Sequence, residues 1–245
     1  MTNVLSLVIV KKTVQIHNLH QLVKVLNEKF DTFYTILYYQ ESYYHKVRIL
    51  DAEKREILQL ISNQEILVDS EIYIDQYIYE ESKYGMYKDF VESHFIDTSN
   101  WIANNFVSNN KFKILESLIL DKLEKLPIKD RSEFLDYSFY YWHKYAEKVN
   151  FKVNSEIFFE IDTFYKHNNS CYKLDNDLKN NLEKLHNLSS NKNTNLNIPY
   201  FKKNEWNDYK KLIFSLNHMD ANKLGVFPNS EAIFYYYLKE VYFGK

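Results

Sequence analysis

Hydrophobic positions along the first 80 residues change their period from one segment to the next. Val4 to Val10 is an aliphatic, β-branched run that predicts a strand. Leu19, Leu22, Val23 and Leu26 fall at helical spacing and predict a helix over Leu19 to Phe30. Thr32 to Tyr39 and Tyr43 to Leu50 are aromatic or β-branched runs flanking Gln40-Glu41-Ser42, the pattern of a hairpin. Ala52 to Ile61 reads as a helix, and Ile66 to Tyr79 contains a further strand in which Ile72 and Ile74 alternate with Tyr73 and Asp75. Strand, helix, two strands, helix and strand together predict a mixed sheet with helices on one face.

From Met86 onward the period becomes helical throughout. Phe90, Phe95, Trp101, Ile102 and Phe106 predict one helix pair, and Ile114, Leu118 and Leu120 another. Pro127 to Asp130 is a break, followed by a helix with Phe134, Leu135 and Phe139 on its apolar side. Ser155 to Tyr165, Leu174 to Leu188, Trp206 to Leu216 and Ser230 to Tyr242 continue the helical series. The polar, asparagine-rich stretch Ser189 to Asn197 is expected to be a flexible loop. The expected fold class is α+β: one domain over 1–245, sheet-rich over 1–85 and helical over 86–245.

Composition narrows the function mainly by exclusion. A formal charge of -2 without a long basic block gives no electrostatic case for nucleic acid. The single cysteine, Cys171, forms no internal disulfide, and no CxxC or His/Cys cluster suggests zinc. With three glycines in 245 residues, neither GxGxxG nor GxxxxGK[ST] occurs, so neither a nucleotide cofactor nor a metal is expected. Val4 to Val10 is too short to span a membrane and lacks the flanks of a signal peptide, so the expected location is the cytoplasm. Abundant Tyr, Asn, Lys and Ile match AT-rich codons. Arg48, Arg55 and Arg131 are the only arginines among 31 basic residues. Runs such as Tyr235 to Tyr237 are accordingly read as core or groove wall.

Asp75-Gln76-Tyr77-Ile78-Tyr79-Glu80-Glu81-Ser82-Lys83-Tyr84-Gly85 resembles the D-T-Y-x-x-E-x-x-R-Y-G-G signature of the domain that ends the class I lanthipeptide dehydratases. The same domain occurs alone in thiopeptide pathways. Glu92, Phe95, Asp97 and Thr98 resemble the family's following helix, with one residue fewer between Phe and Asp. Ser215, His218, Met219, Asn222, Lys223, Leu224, Gly225 and Glu231 are similar to its C-terminal S-x-x-H-M-x-x-N-R-L, Gly and Glu. Tyr44 to Ile49 stands where the family has a strand of type H-L-R-L-R-F. The resemblance spans almost the whole chain.

In the dehydratases this domain removes glutamate from glutamylated Ser or Thr, leaving dehydroamino acids. The resemblance implies a base for the α-proton and arginines that hold the departing carboxylate. Here the histidine stands at His218, but Lys46, Lys83 and Lys223 occupy arginine positions, and lysine lacks the planar two-pronged grip of guanidinium. That departure makes the chain most like a thiopeptide pyridine synthase, which joins two dehydroalanines of one peptide in a formal [4+2] cycloaddition. A separate glutamate-elimination subunit and a non-catalytic leader-binding scaffold remain alternatives. The resemblance implies His218, Glu80, Lys83, Tyr84 and Tyr77 as catalytic candidates, and Lys46, Arg48, Asn222 and Lys223 as substrate-binding candidates. It implies a leader-bearing precursor peptide with dehydroalanines as partner, alongside other enzymes of the pathway. His94, His143 and His186 carry no motif and are expected at the surface.

Overall fold

The computed structural model describes residues 4–39, 41–77, 81–106, 110–151, 157, 159, 161–163, 172–194, 196, 198 and 205–244. The fold is α+β, with two compact units: Met1–Phe106 with Asn222–Gly225, and Val107–Ala221 with Val226–Lys245.

The first unit is built on β1 (Val4–Lys11), α1 (Ile16–Asn27), β2 (Thr32–Tyr39), β3 (Ser42–Leu50), α2 (Lys54–Ile61) and β4 (Glu71–Gln76). A short α3 (Glu81–Tyr84) and the long α4 (Lys88–Asn105) follow. The strands lie in the order β2-β3-β1-β4. All three pairings are antiparallel, where a mixed sheet was expected. The reason is topological: β1 and β2 run the same way, but the second arm of the hairpin inserts between them. The result is a split β-α-β arrangement. Alternation sets the faces: Leu7, Tyr34 and Val47 align across three strands and are fully buried. Leu19, Leu22, Val23 and Leu26 of α1, at i, i+3, i+4 and i+7, are fully buried as well.

Two histidines serve this core rather than chemistry. Burial, reinforced by Lys24, pushes His20 down to about 3, and its Nε2 lies 2.6 Å from the Tyr34 hydroxyl. Burial likewise lowers His45 to about 4, and its Nε2 accepts from the Gln15 backbone N–H at 3.2 Å. His94, expected at the surface, is buried on α4 beside the Phe95 ring, because its position falls on the helix's inward stripe.

The second unit contains α5 (Lys111–Glu124), α6 (Ile128–Lys148), α7 (Asn176–Ser189), most of α8 (Asp208–Lys223) and α9 (Pro228–Phe243). Ser155 to Tyr165 lies largely outside the described residues. The described part of the Asn-rich stretch is tied down rather than loose. Thr194 donates from its backbone N–H and its hydroxyl to the two Asp208 oxygens at 2.8 and 2.7 Å, and the Asp208 N–H donates to the Lys192 carbonyl at 2.7 Å. Its polar side chains and backbone therefore satisfy the start of α8.

α8 closes with a Schellman turn. The Gly225 N–H donates to the Asn222 carbonyl at 3.2 Å and the Val226 N–H to the Ala221 carbonyl at 2.9 Å. Gly225 sits at φ +64°, and a Cβ there would stand 2.7 Å from Ile16 Cδ1. Gly225→Ala is expected to cost on the order of 1–2 kcal/mol, read as a lower denaturation midpoint. An unchanged midpoint would show that this turn does not need glycine.

Candidate active-site clusters

In the first unit, β3 places Lys46 and Arg48 two residues apart and therefore on one face of the sheet. Arg48 stands opposite Phe33 on one side and Ser6 on the other. Its guanidinium lies over the Tyr77 ring, 4.7 Å from the centroid. Lys46 is partly buried, and that burial, followed by the charge of Arg48, holds its ammonium below the usual lysine range.

From Tyr77 an aromatic chain runs inward. Tyr77 meets Phe33 edge-on at 6.2 Å, Phe33 meets Phe95 at 5.7 Å, and Phe95 meets Tyr84 edge-on at 6.1 Å. Lys83 Nζ stands 4.9 Å over the Tyr84 ring. Lys223, the arginine position of the C-terminal motif, reaches the same chain from below. Its ammonium is fully buried, 5.2 Å over the Phe95 ring, and donates to the Phe95 carbonyl at 3.3 Å and to Thr98 Oγ1. Asn222 beside it is also buried. The structure thus gathers Arg48, Tyr77, Tyr84, Lys83 and Lys223 around Phe33 and Phe95. Glu80 lies outside the described residues.

In the second unit, His218 projects from α8 with its side chain 24% exposed, the accessibility a proton-transfer group needs. Its ring stacks on Trp142 of α6, with centroids 3.9 Å apart and planes 16° apart. Trp142 is itself stacked at 5.5 Å and 9° on Phe214, one helical turn before His218. His218 Nδ1 lies 2.7 Å from Oε2 of Glu231, which is fully buried on α9. The Tyr235 hydroxyl, one turn further along α9, donates to Glu231 Oε1 at 3.3 Å. Burial and the Glu231 charge push the Tyr235 phenol far above its ordinary range.

The model of the lantibiotic biosynthesis dehydratase C-terminal family matches residues 11–242. The chain belongs to this family. Among solved structures, the crystal structure of TsrL is similar over 99% of this chain and 96% of its own, with a TM-score of 0.47 and 10% sequence identity. No curated protein matches significantly.

Two neighbours of His218 are not legible as site residues in the sequence. Glu231 stood in the C-terminal motif without a role, and its pairing with a histidine 13 residues earlier emerges only when α8 and α9 pack. Trp142 carried no signal, since a tryptophan on an amphipathic helix ordinarily reads as core. Among the described residues no helix is long and apolar enough to cross a membrane.

Proposed function

We propose that the protein is a thiopeptide pyridine synthase, acting on a leader-bearing ribosomal peptide that already contains two dehydroalanines. The family supports an enzyme of peptide modification. The observation that carries the finer reading is what stands at the arginine positions of glutamate elimination. Lys223 is buried with its ammonium committed to Phe95 and Thr98, and Lys46 is a weakened cation beside Arg48. Neither provides the two-pronged carboxylate grip that departing glutamate requires. His218, by contrast, is retained, partly exposed and held by Trp142 and Glu231.

The proposed chemistry asks for positioning and proton transfer. One amide shifts to its imidic tautomer, giving a diene that forms two carbon–carbon bonds with the second dehydroalanine. Water then leaves from the hydroxyl-bearing carbon, and the leader departs as a carboxamide, so that the ring closes as a pyridine. These bond changes are redox-neutral overall. His218 accepts and returns the proton. Lys83 with Glu80, and the phenols Tyr77 and Tyr84, supply further donors and acceptors, while Lys46 and Arg48 hold peptide carbonyls against the sheet. Lys223 supports the aromatic chain through Phe95 and Thr98; Asn222 next to it in sequence is assigned to peptide binding.

Glutamate elimination is the second reading, favoured by Arg48, which keeps an arginine on the sheet face. The test is incubation with a leader-bearing peptide carrying two dehydroalanines, followed by mass spectrometry. The expected products are an intact leader carboxamide and a macrocycle lighter by one water; unchanged peptide would refute the proposal.

A further inference from the structure

We infer that Glu231, secured on its far oxygen by Tyr235, is the positioning residue that fixes the tautomer of His218, leaving Nε2 as the proton-accepting atom. The inference rests on the reading that His218 transfers protons, but its central test does not.

The argument is one of donor and acceptor counting. A carboxylate only accepts hydrogen bonds, so the contact of 2.7 Å between His218 Nδ1 and Glu231 Oε2 requires the proton on Nδ1. In the neutral ring Nε2 then carries the lone pair. Trp142 fixes the plane of the ring by stacking and Glu231 fixes which nitrogen is protonated, so orientation and tautomer are set by different helices. When Nε2 takes a proton, the carboxylate stabilises the resulting imidazolium, as the buried acid does in a hydrolase triad. The second oxygen of Glu231 is not idle. Tyr235 donates to Oε1 at 3.3 Å, and burial together with the Glu231 charge favours the neutral phenol that has a proton to give. Full burial of both Glu231 and Tyr235 keeps water from substituting for either contact.

Glu231→Leu removes the acceptor and leaves an apolar side chain of similar size, so nothing holds the proton on Nδ1. The ring is then expected to relax to the Nε2–H form that free imidazole prefers. Glu231→Gln is the milder change, because a hydroxyl both donates and accepts and Tyr235 therefore pairs with either end of the amide. In E231Q both ring forms are expected.

Long-range proton–nitrogen NMR of the imidazole, recorded above its titration, distinguishes the two forms by which nitrogen resonates as pyridine-like. The expected results are Nδ1–H in the wild type, Nε2–H in E231L and a mixture of both in E231Q. An Nε2–H wild type, or an E231L variant that keeps Nδ1–H, would overturn the inference. In the dehydroalanine assay E231L is expected to lose about 10²-fold or more in kcat with little change in KM, and E231Q to lose less. If the tautomers switch as expected but no wild-type protein turns over that peptide, the dyad stands and the proposed reaction falls.

Discussion

Replacing His218 with alanine is expected to slow macrocycle formation by roughly 10²- to 10⁴-fold, the range lost when a positioned acid–base group is removed. Binding of the leader peptide is expected to persist. Three features make the histidine the sensitive point. Its ring is stacked at 3.9 Å on Trp142, its Nδ1 is anchored on a buried carboxylate, and its side chain keeps partial access to solvent. Alanine favours the helix, so α8 is not weakened by the change itself. Single-turnover mass spectrometry measures the rate, and fluorescence anisotropy of a labelled leader measures binding. Wild-type turnover in the variant would remove His218 from the mechanism, whatever its packing.

The largest effect on stability is expected two residues further along α8. Lys122 of α5 and Asp220 form an ion pair at 2.9 Å with both side chains fully buried, and the Lys122 ammonium also donates to the Leu118 carbonyl at 2.8 Å. A buried pair contributes little relative to a well-packed apolar pair, but losing one partner leaves a charge in a medium that solvates it poorly. Lys122→Met removes the amine while keeping most of the stem, and is expected to cost about 3–5 kcal/mol. In a chain of this size that corresponds to a Tm lower by roughly 6–20 °C. Adding Asp220→Asn to the same chain removes the stranded charge and is expected to recover a large part of the loss. Thermal unfolding followed by circular dichroism measures both. A single variant that melts with the wild type would mean that the pair does not hold the second unit together.

The fold was legible wherever hydrophobic period alone decides it. Val4 to Lys11, the two arms of the hairpin and the helix carrying Leu19, Leu22, Val23 and Leu26 appear where alternation and helical spacing put them. Strand order was not legible, because whether β3 or β2 lies against β1 depends on packing that no local pattern records. The end of α8 shows a different limit. Helical periodicity in apolar residues stops at Leu216, yet the helix runs to Lys223 with Asn217, Asp220, Asn222 and Lys223 all buried. Polar side chains that find partners inside the protein break the pattern from which burial is inferred. Of Tyr235, Tyr236 and Tyr237, only Tyr235 is fully buried.

The candidate residues were legible only through the motifs. The motifs gave the positions of His218, Lys83, Lys46 and Lys223, but not that Phe33 and Phe95 string several of them together. Residues 33, 48, 77, 84, 95 and 223 come from separate elements, and a single sequence holds no record of their meeting.

The choice between joining dehydroalanines and making them turns on Lys46, Lys83 and Lys223, and one competition experiment addresses it directly. An equimolar mixture of two leader-bearing peptides, one with two dehydroalanines and one with glutamylated serine, is incubated with the protein and followed by mass spectrometry. The account predicts that the first peptide is converted to a dehydrated macrocycle and a leader carboxamide while the second persists unchanged. Loss of glutamate from the second with the first untouched would contradict it.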